Sequence, residues 1–130
     1  MTAAERLTEI FDRAIKEGVD SLSPAEHDLY LIQDFIIDYE INDLSGYFYN
    51  HLPDLRSIRA AIASMRRCGL TELARLLSQA ADLFGTYADA DLATTWGDVL
   101  RKYDATGRLK QLSEQIRALD DYGLLGSTIA

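Results

Sequence analysis

The sequence predicts an all-α protein, built as a compact bundle of about six or seven helices around one buried central helix. Apolar residues recur three and four positions apart along most of the chain, which is the period of an amphipathic helix. Capping residues, prolines and glycines mark the expected helix ends. No stretch of useful length alternates apolar and polar residues as a half-buried strand does. The 130 residues fit a single helical domain, residues 1–130.

Capping boxes predict the first two helices. Residues 2–5 read Thr-Ala-Ala-Glu, and Gly18 is expected to end the helix that they open. Residues 23–26 read Ser-Pro-Ala-Glu, which places Pro24 at the first position of the second helix. This second helix is expected to run to about Asn42.

Four shorter helices are expected after residue 42, and each has a proline, a capping residue or a glycine near one of its ends. Pro53, Thr71 and Asp91 are expected to start the first three of them. The expected spans are 53–69, 71–85, 91–103 and 109–123.

The second helix carries two apolar stripes. One stripe consists of Leu29, Ile32, Phe35, Ile36 and Tyr39. The other consists of Tyr30, Ile37 and Ile41. A helix that is apolar on two sides is expected to lie between neighbours, so this is the predicted central helix. Its narrow polar strip includes Asp34 and Asp38, whose charges repel by a few tenths of a kcal/mol at one-turn spacing.

No catalytic, cofactor or metal site is predicted. His27 and His51 lack the i, i+4 spacing of a helical zinc pair, and Cys68 is distant from both in sequence. An enzyme would need a pocket that gathers one of these histidines with several carboxylates. The chain has no signal-peptide pattern and no apolar run of the roughly 20 residues that a membrane span needs, so the cytoplasm is the expected compartment.

Negative charge is concentrated in one part of the chain. The formal net charge is −8, which argues against direct binding to nucleic acid and favours a basic protein partner. Residues 17–55 contain nine acidic residues and no Lys or Arg, whereas residues 56–75 contain five arginines and one acid. Two arrangements remain open: the acids form one surface patch, or the basic segments pack beside them and cancel the field.

Acidic side chains of this segment are the predicted partner-binding residues, because carboxylates can pair with Lys and Arg side chains that otherwise meet phosphates. They are Asp28, Asp34, Asp38, Glu40, Asp43 and Asp54.

The sequence from the second helix onward resembles a known bacterial family. Residues 42–50 read Asn-Asp-Leu-Ser-Gly-Tyr-Phe-Tyr-Asn, in which Tyr47, Phe48 and Asn50 match the aromatic pair and the closing asparagine of the family's turn. The following IRAAIASMRRCGLTELARLLSQAADLF is also similar, as is, more weakly, QLSEQIRALDDYG. The resemblance covers about residues 23–86. A Gly-Gly pair of the family's turn is replaced here by Asn42-Asp43.

This resemblance is to a family of domains of unknown function that includes small acidic DNA-mimic proteins. It implies an all-α fold, a dimer and, in one branch, binding to the DNA-binding face of a transcriptional repressor. Other members imply the alternative of an immunity-type protein that neutralises a toxin. A homodimer is also expected from Tyr47, Phe48 and Tyr49, since one element cannot bury three consecutive aromatics on one side. Such a dimer should strengthen as salt screens the acidic patches.

Overall fold

The computed structural model describes residues 2–119 and contains six α-helices in that range. Short 3₁₀ turns at Val19–Ser21 and Asp89–Ala93 precede the second and fifth helices. None of the described residues lies in a β-strand, and the all-α prediction is confirmed. The helices are α1 (Ala3–Glu17), α2 (Pro24–His51), α3 (Leu55–Arg67), α4 (Thr71–Leu83), α5 (Trp96–Tyr103) and α6 (Arg108–Ala118).

Both predicted capping boxes are formed. At the start of α2, the Ser23 hydroxyl accepts from the Glu26 amide at 3.2 Å, and the Glu26 carboxylate accepts from the Ser23 amide at 2.9 Å. The same Glu26 carboxylate accepts from the Arg13 guanidinium at 2.8 Å, which fastens α1 to α2. The pKa of Glu26 is lowered, mainly by the Ser23 amide and then by Arg13.

Three of the expected helix starts are wrong in detail. Pro53 lies outside α3, whose N-cap is Asp54. Thr71 is the first helical residue of α4 and not its cap. Asp91 does not cap α5, because Thr95 does so by accepting from a backbone amide one turn later. The expected end of the last helix at Gly123 lies outside the described residues, and α6 ends at Ala118.

Asp91 has a structural role instead. Its side chain is buried in the 3₁₀ turn before α5 and accepts from the Tyr103 hydroxyl, the Lys102 ammonium and the Ala88 amide. These hydrogen bonds, that of Tyr103 first, lower its pKa to about 2. The sequence pattern predicted a helix cap because an aspartate suits both an N-cap and a buried hydrogen-bond acceptor.

One apolar core joins all six helices, and α2 provides the largest share of it. The predicted stripe from Leu29 to Tyr39 is buried throughout. Tyr39 is 1% exposed and donates its hydroxyl to the Ser113 carbonyl of α6 at 2.7 Å. The central position of this helix follows from that burial.

The α2 helix reverses direction at Asp43, where φ is 59° and ψ is −176°. We call residues 24–42 arm α2a and residues 44–51 arm α2b. Asn50 donates to the Asp38 carboxylate at 3.0 Å, although twelve residues of straight helix would separate them by about 18 Å. The segment expected to form a turn, residues 42–50, therefore contains one residue with positive φ, Asp43, and the residues after it form two turns of helix. His51 lies in the last turn of α2b.

The second apolar stripe is only partly covered, so the expectation of a helix buried on two sides is wrong. Tyr30 packs on Phe11 of α1, with ring centroids 4.7 Å apart. Ile37 and Ile41, further along α2a, are 42% and 74% exposed. The contact with α1 thus covers this side of α2a at Tyr30 and leaves its later turns open.

Candidate protein-interaction surface

Two of the six predicted acidic residues are already paired with arginines. Asp28 accepts from the Ser64 hydroxyl and from the Arg67 guanidinium, each at 2.7 Å. These contacts, with Arg67 the larger, lower the pKa of Asp28 against the opposing effect of burial. Asp28 therefore links α2a to α3. At this position an arginine of the basic segment, residues 56–75, neutralises the charge of an acid from residues 17–55.

Asp43, at the reversal of α2, accepts from the Arg117 guanidinium of α6 at 2.5 Å. Both side chains are more than half exposed, which makes this a surface ion pair of about 0–1 kcal/mol. The same guanidinium lies 5.5 Å from the centre of the Tyr39 ring. Arg117 thus tethers the reversal to α6 and neutralises the Asp43 charge.

The reversal brings Asp34 and Asp38 of α2a against the end of α2b. The His51 imidazole lies 3.4 Å from the Asp34 carboxylate through Nε2 and 2.8 Å from the Tyr47 carbonyl through Nδ1. Asp38 accepts from the amides of Asn50 and, one turn along its own helix, Asn42 at 2.8 Å. The like charges of Asp34 and Asp38 are thereby partly offset by polar donors.

His51 has a raised pKa because it lies between two carboxylates. The hydrogen bond to Asp34 is the largest cause, followed among the raising effects by the bond to the Tyr47 carbonyl and the charges of Asp34 and Asp38. Burial acts in the opposite direction. The net charge of Asp34, Asp38 and His51 together therefore depends on the protonation of the His51 imidazole, a dependence that two carboxylates alone do not have.

Asp54 lies next to His51, at the start of α3. Its backbone amide donates to the His51 carbonyl at 2.9 Å, and its carboxylate accepts from the Ser57 amide at 3.0 Å as the N-cap of α3. Glu40 is exposed on another side of α2a, and helical geometry places Ile37 and Ile41 between it and Asp34.

Arginines neutralise part of the acidic stretch of sequence. Three of the nine acids in residues 17–55 form ion pairs with arginines, at Glu26, Asp28 and Asp43. The others have no Lys or Arg partner between Thr2 and Leu119. They are Glu17, Asp20, Asp34, Asp38, Glu40 and Asp54.

The model of the DMP19-like protein family matches residues 20–127. The chain belongs to the DMP19-like protein family. This is a DNA-mimic family, generally without enzymatic activity, and its members are expected to interact with a DNA-binding partner. The match confirms the resemblance seen from the sequence and extends it over most of the chain. No curated protein and no solved structure matches the chain significantly.

The described part of this DMP19-like chain gathers no three His, Cys, Asp or Glu side chains in an arrangement that could hold a metal ion. Cys68 is half-buried, and burial raises the pKa of its thiol. No helix between residues 2 and 119 is long and apolar enough to cross a membrane.

His51 and Asn50 were missed as members of this surface. His51 lies 17 residues from Asp34 in the sequence, and only the reversal at Asp43 makes them neighbours. The one available signal was the replacement of the family's Gly-Gly by Asn42-Asp43, because Asn and Asp are the residues besides glycine that most often adopt positive φ.

Proposed function

We propose that this chain acts as a DNA mimic that binds the basic, DNA-binding face of a transcriptional repressor. The observation that carries the proposal is that Asp34, Asp38 and Asp54 lie next to the C-terminal end of α2b with no Lys or Arg paired to them, in a member of a DNA-mimic family. Glu40 extends the acidic surface along α2a. Asp28 and Asp43 contribute less to binding, because arginines already neutralise them.

The electrostatic argument is direct. The Cβ atoms of acidic residues one helical turn apart lie about 5–6 Å from each other, so their carboxylates present closely spaced negative charge to the partner as a phosphate backbone does. Lys and Arg side chains that meet phosphates on DNA pair with these carboxylates instead. Such contacts speed association and weaken as salt rises. Occupation of the DNA-binding face excludes DNA from the partner.

A pull-down from the source cell, eluted with a salt ramp, tests the proposal. The wild-type chain should retain a basic DNA-binding protein that elutes as salt rises. A test variant that removes three charges of the proposed surface should lose it. That variant carries Asp34→Asn, Glu40→Gln and Asp54→Asn, of which the last keeps a residue that can cap α3.

A control variant has the same net charge but places the changes elsewhere on exposed positions. It carries Asp12→Asn, Asp89→Asn and Glu114→Gln. It should retain the partner as the wild type does. Equal loss in both variants, or a partner that stays bound at high salt, would contradict mimicry. Recovery of a toxic nuclease, with rescue of growth by this chain, would replace mimicry by an immunity role.

We also propose that the chain forms a homodimer through the exposed aromatic surface at Tyr49. Tyr47 and Phe48 are buried, whereas Tyr49 is 62% exposed and contacts Trp96, with ring centroids 5.5 Å apart. Leu92, 54% exposed, lines the same groove. Light scattering at tens of micromolar should give a dimer whose population rises with salt. A monomer at low and at high salt would refute it.

A further inference from the structure

The exposed isoleucines of α2a form a short apolar row inside the acidic surface. Ile37 and Ile41 are one helical turn apart and therefore lie on the same face. The period of the helix places Asp34 and Asp38 on one side of the row and Glu40 on the other. Covering these two side chains would add an apolar contact to a surface that otherwise offers charge. We call Ile37 and Ile41 the isoleucine row.

We infer that the isoleucine row docks an amphipathic helix of the partner protein, with apolar side chains over Ile37 and Ile41 and Lys or Arg side chains toward the flanking acids. This inference rests on the proposed function and adds an apolar contact beside charge pairs that weaken as salt rises. The charges around the row determine the chemistry of the occupant. An apolar segment that approaches it must bring positive charge on its flanks, or leave desolvated carboxylates unpaired.

Two other occupants fit the charges poorly. In a second copy docked through the same face, the row would again be flanked by Asp34, Asp38 and Glu40, so like charges would meet across the contact. The segment 120–130 of the same chain contains two aspartates and no Lys or Arg, so it offers no complementary charge either. A basic amphipathic helix satisfies both the apolar row and its acidic borders.

Three labelled synthetic peptides of equal length serve as probes. The first is a helical lysine/leucine peptide with an apolar row between lysines, the second replaces every leucine by alanine, and the third replaces every lysine by glutamate. Fluorescence anisotropy measures the affinity of each for the full chain. The double variant Ile37→Ser, Ile41→Ser tests the row, and Ile15→Ser, at an isoleucine on α1 that is 80% exposed, is the matched control. Circular dichroism checks that all variants are folded.

The wild type and Ile15→Ser should bind the lysine/leucine peptide at least about tenfold more tightly than the lysine/alanine peptide, and the double variant should lose this preference. The glutamate peptide should not bind. An unchanged preference in the double variant would overturn the inference. So would conversion of a dimer to a monomer by the same substitutions in light scattering, because the second copy would then be the occupant.

Failure of the proposed function gives a different result. Weak binding of the lysine/alanine peptide that is unaffected by Asp34→Asn, Glu40→Gln and Asp54→Asn would refute the acidic contact. The ratio of the affinities for the lysine/leucine and lysine/alanine peptides would still measure the contribution of the isoleucine row by itself.

Discussion

Replacement of Asp43 by glycine and by alanine tests the reversal of α2. With φ of 59° and ψ of −176°, Asp43 occupies a backbone region that is favourable for glycine and costs other residues on the order of 1–3 kcal/mol. Glycine removes this strain but adds about 0.5–1 kcal/mol of unfolded-state entropy. Both substitutions remove the surface ion pair with Arg117, worth about 0–1 kcal/mol.

These contributions give a definite order of stability. Asp43→Gly should stabilise the fold by about 0.5–1 kcal/mol, since relief of strain exceeds the two losses. Asp43→Ala keeps the strain and loses the ion pair, so it should destabilise by about 0–1 kcal/mol. The free energy of unfolding of the glycine variant should therefore exceed that of the alanine variant by roughly 0.5–2 kcal/mol. In an uninterrupted helix the order is opposite, because glycine is about 0.5–1 kcal/mol worse than alanine.

Urea unfolding followed by circular dichroism measures these differences. A variant Arg117→Gln gives the contribution of the ion pair alone and serves as the control. An alanine variant as stable as, or more stable than, the glycine variant would refute the reversal at Asp43 and with it the proximity of Asp34 to His51.

Three further substitutions test other contacts of α2. Gly46→Ala should destabilise by about 1–3 kcal/mol in urea unfolding, because the added methyl carbon would lie 2.3 Å from a side-chain carbon of α2a. Tyr39→Phe should cost about 1 kcal/mol by the same assay, because the Ser113 carbonyl loses its donor. His51 has a raised pKa in the fold through Asp34, so its stabilising effect should be full below about pH 6.5 and decline as pH rises through the folded pKa. His51→Gln should remove this part of the pH dependence of the unfolding midpoint, and an unchanged pH dependence would contradict the contact.

The helices were predictable where the signal is local. The capping box at Ser23 and Glu26 involves residues three positions apart, and the buried stripe from Leu29 to Tyr39 repeats within one helix. Both patterns can be read from the sequence because the residues that produce them are close neighbours along the chain. Asp91 shows the limit of such signals, since a carboxylate suited to a cap serves here as the buried acceptor of a loop.

The interaction surface was predictable only as a set of charges. Which acids remain unpaired depends on contacts such as Asp28 with Arg67, 39 residues apart. The contact between Asp34 and His51 depends on the positive φ of one residue, Asp43. A glycine at this position would have been a stronger sequence signal for that conformation than an aspartate is. The exposure of Ile41 depends on how much of α2a its neighbours cover, which no local pattern records.

Competition with DNA tests the central claim most directly. The protein recovered in the salt ramp is bound to a fluorescent duplex, and the chain is added at physiological salt. The wild type and the control variant of Asp12, Asp89 and Glu114 should release the duplex in proportion to their binding to the partner. The test variant should release it at least about tenfold less effectively. A stable complex that holds the duplex and this chain together would contradict the account, because a DNA mimic and DNA cannot occupy one face of the partner at once.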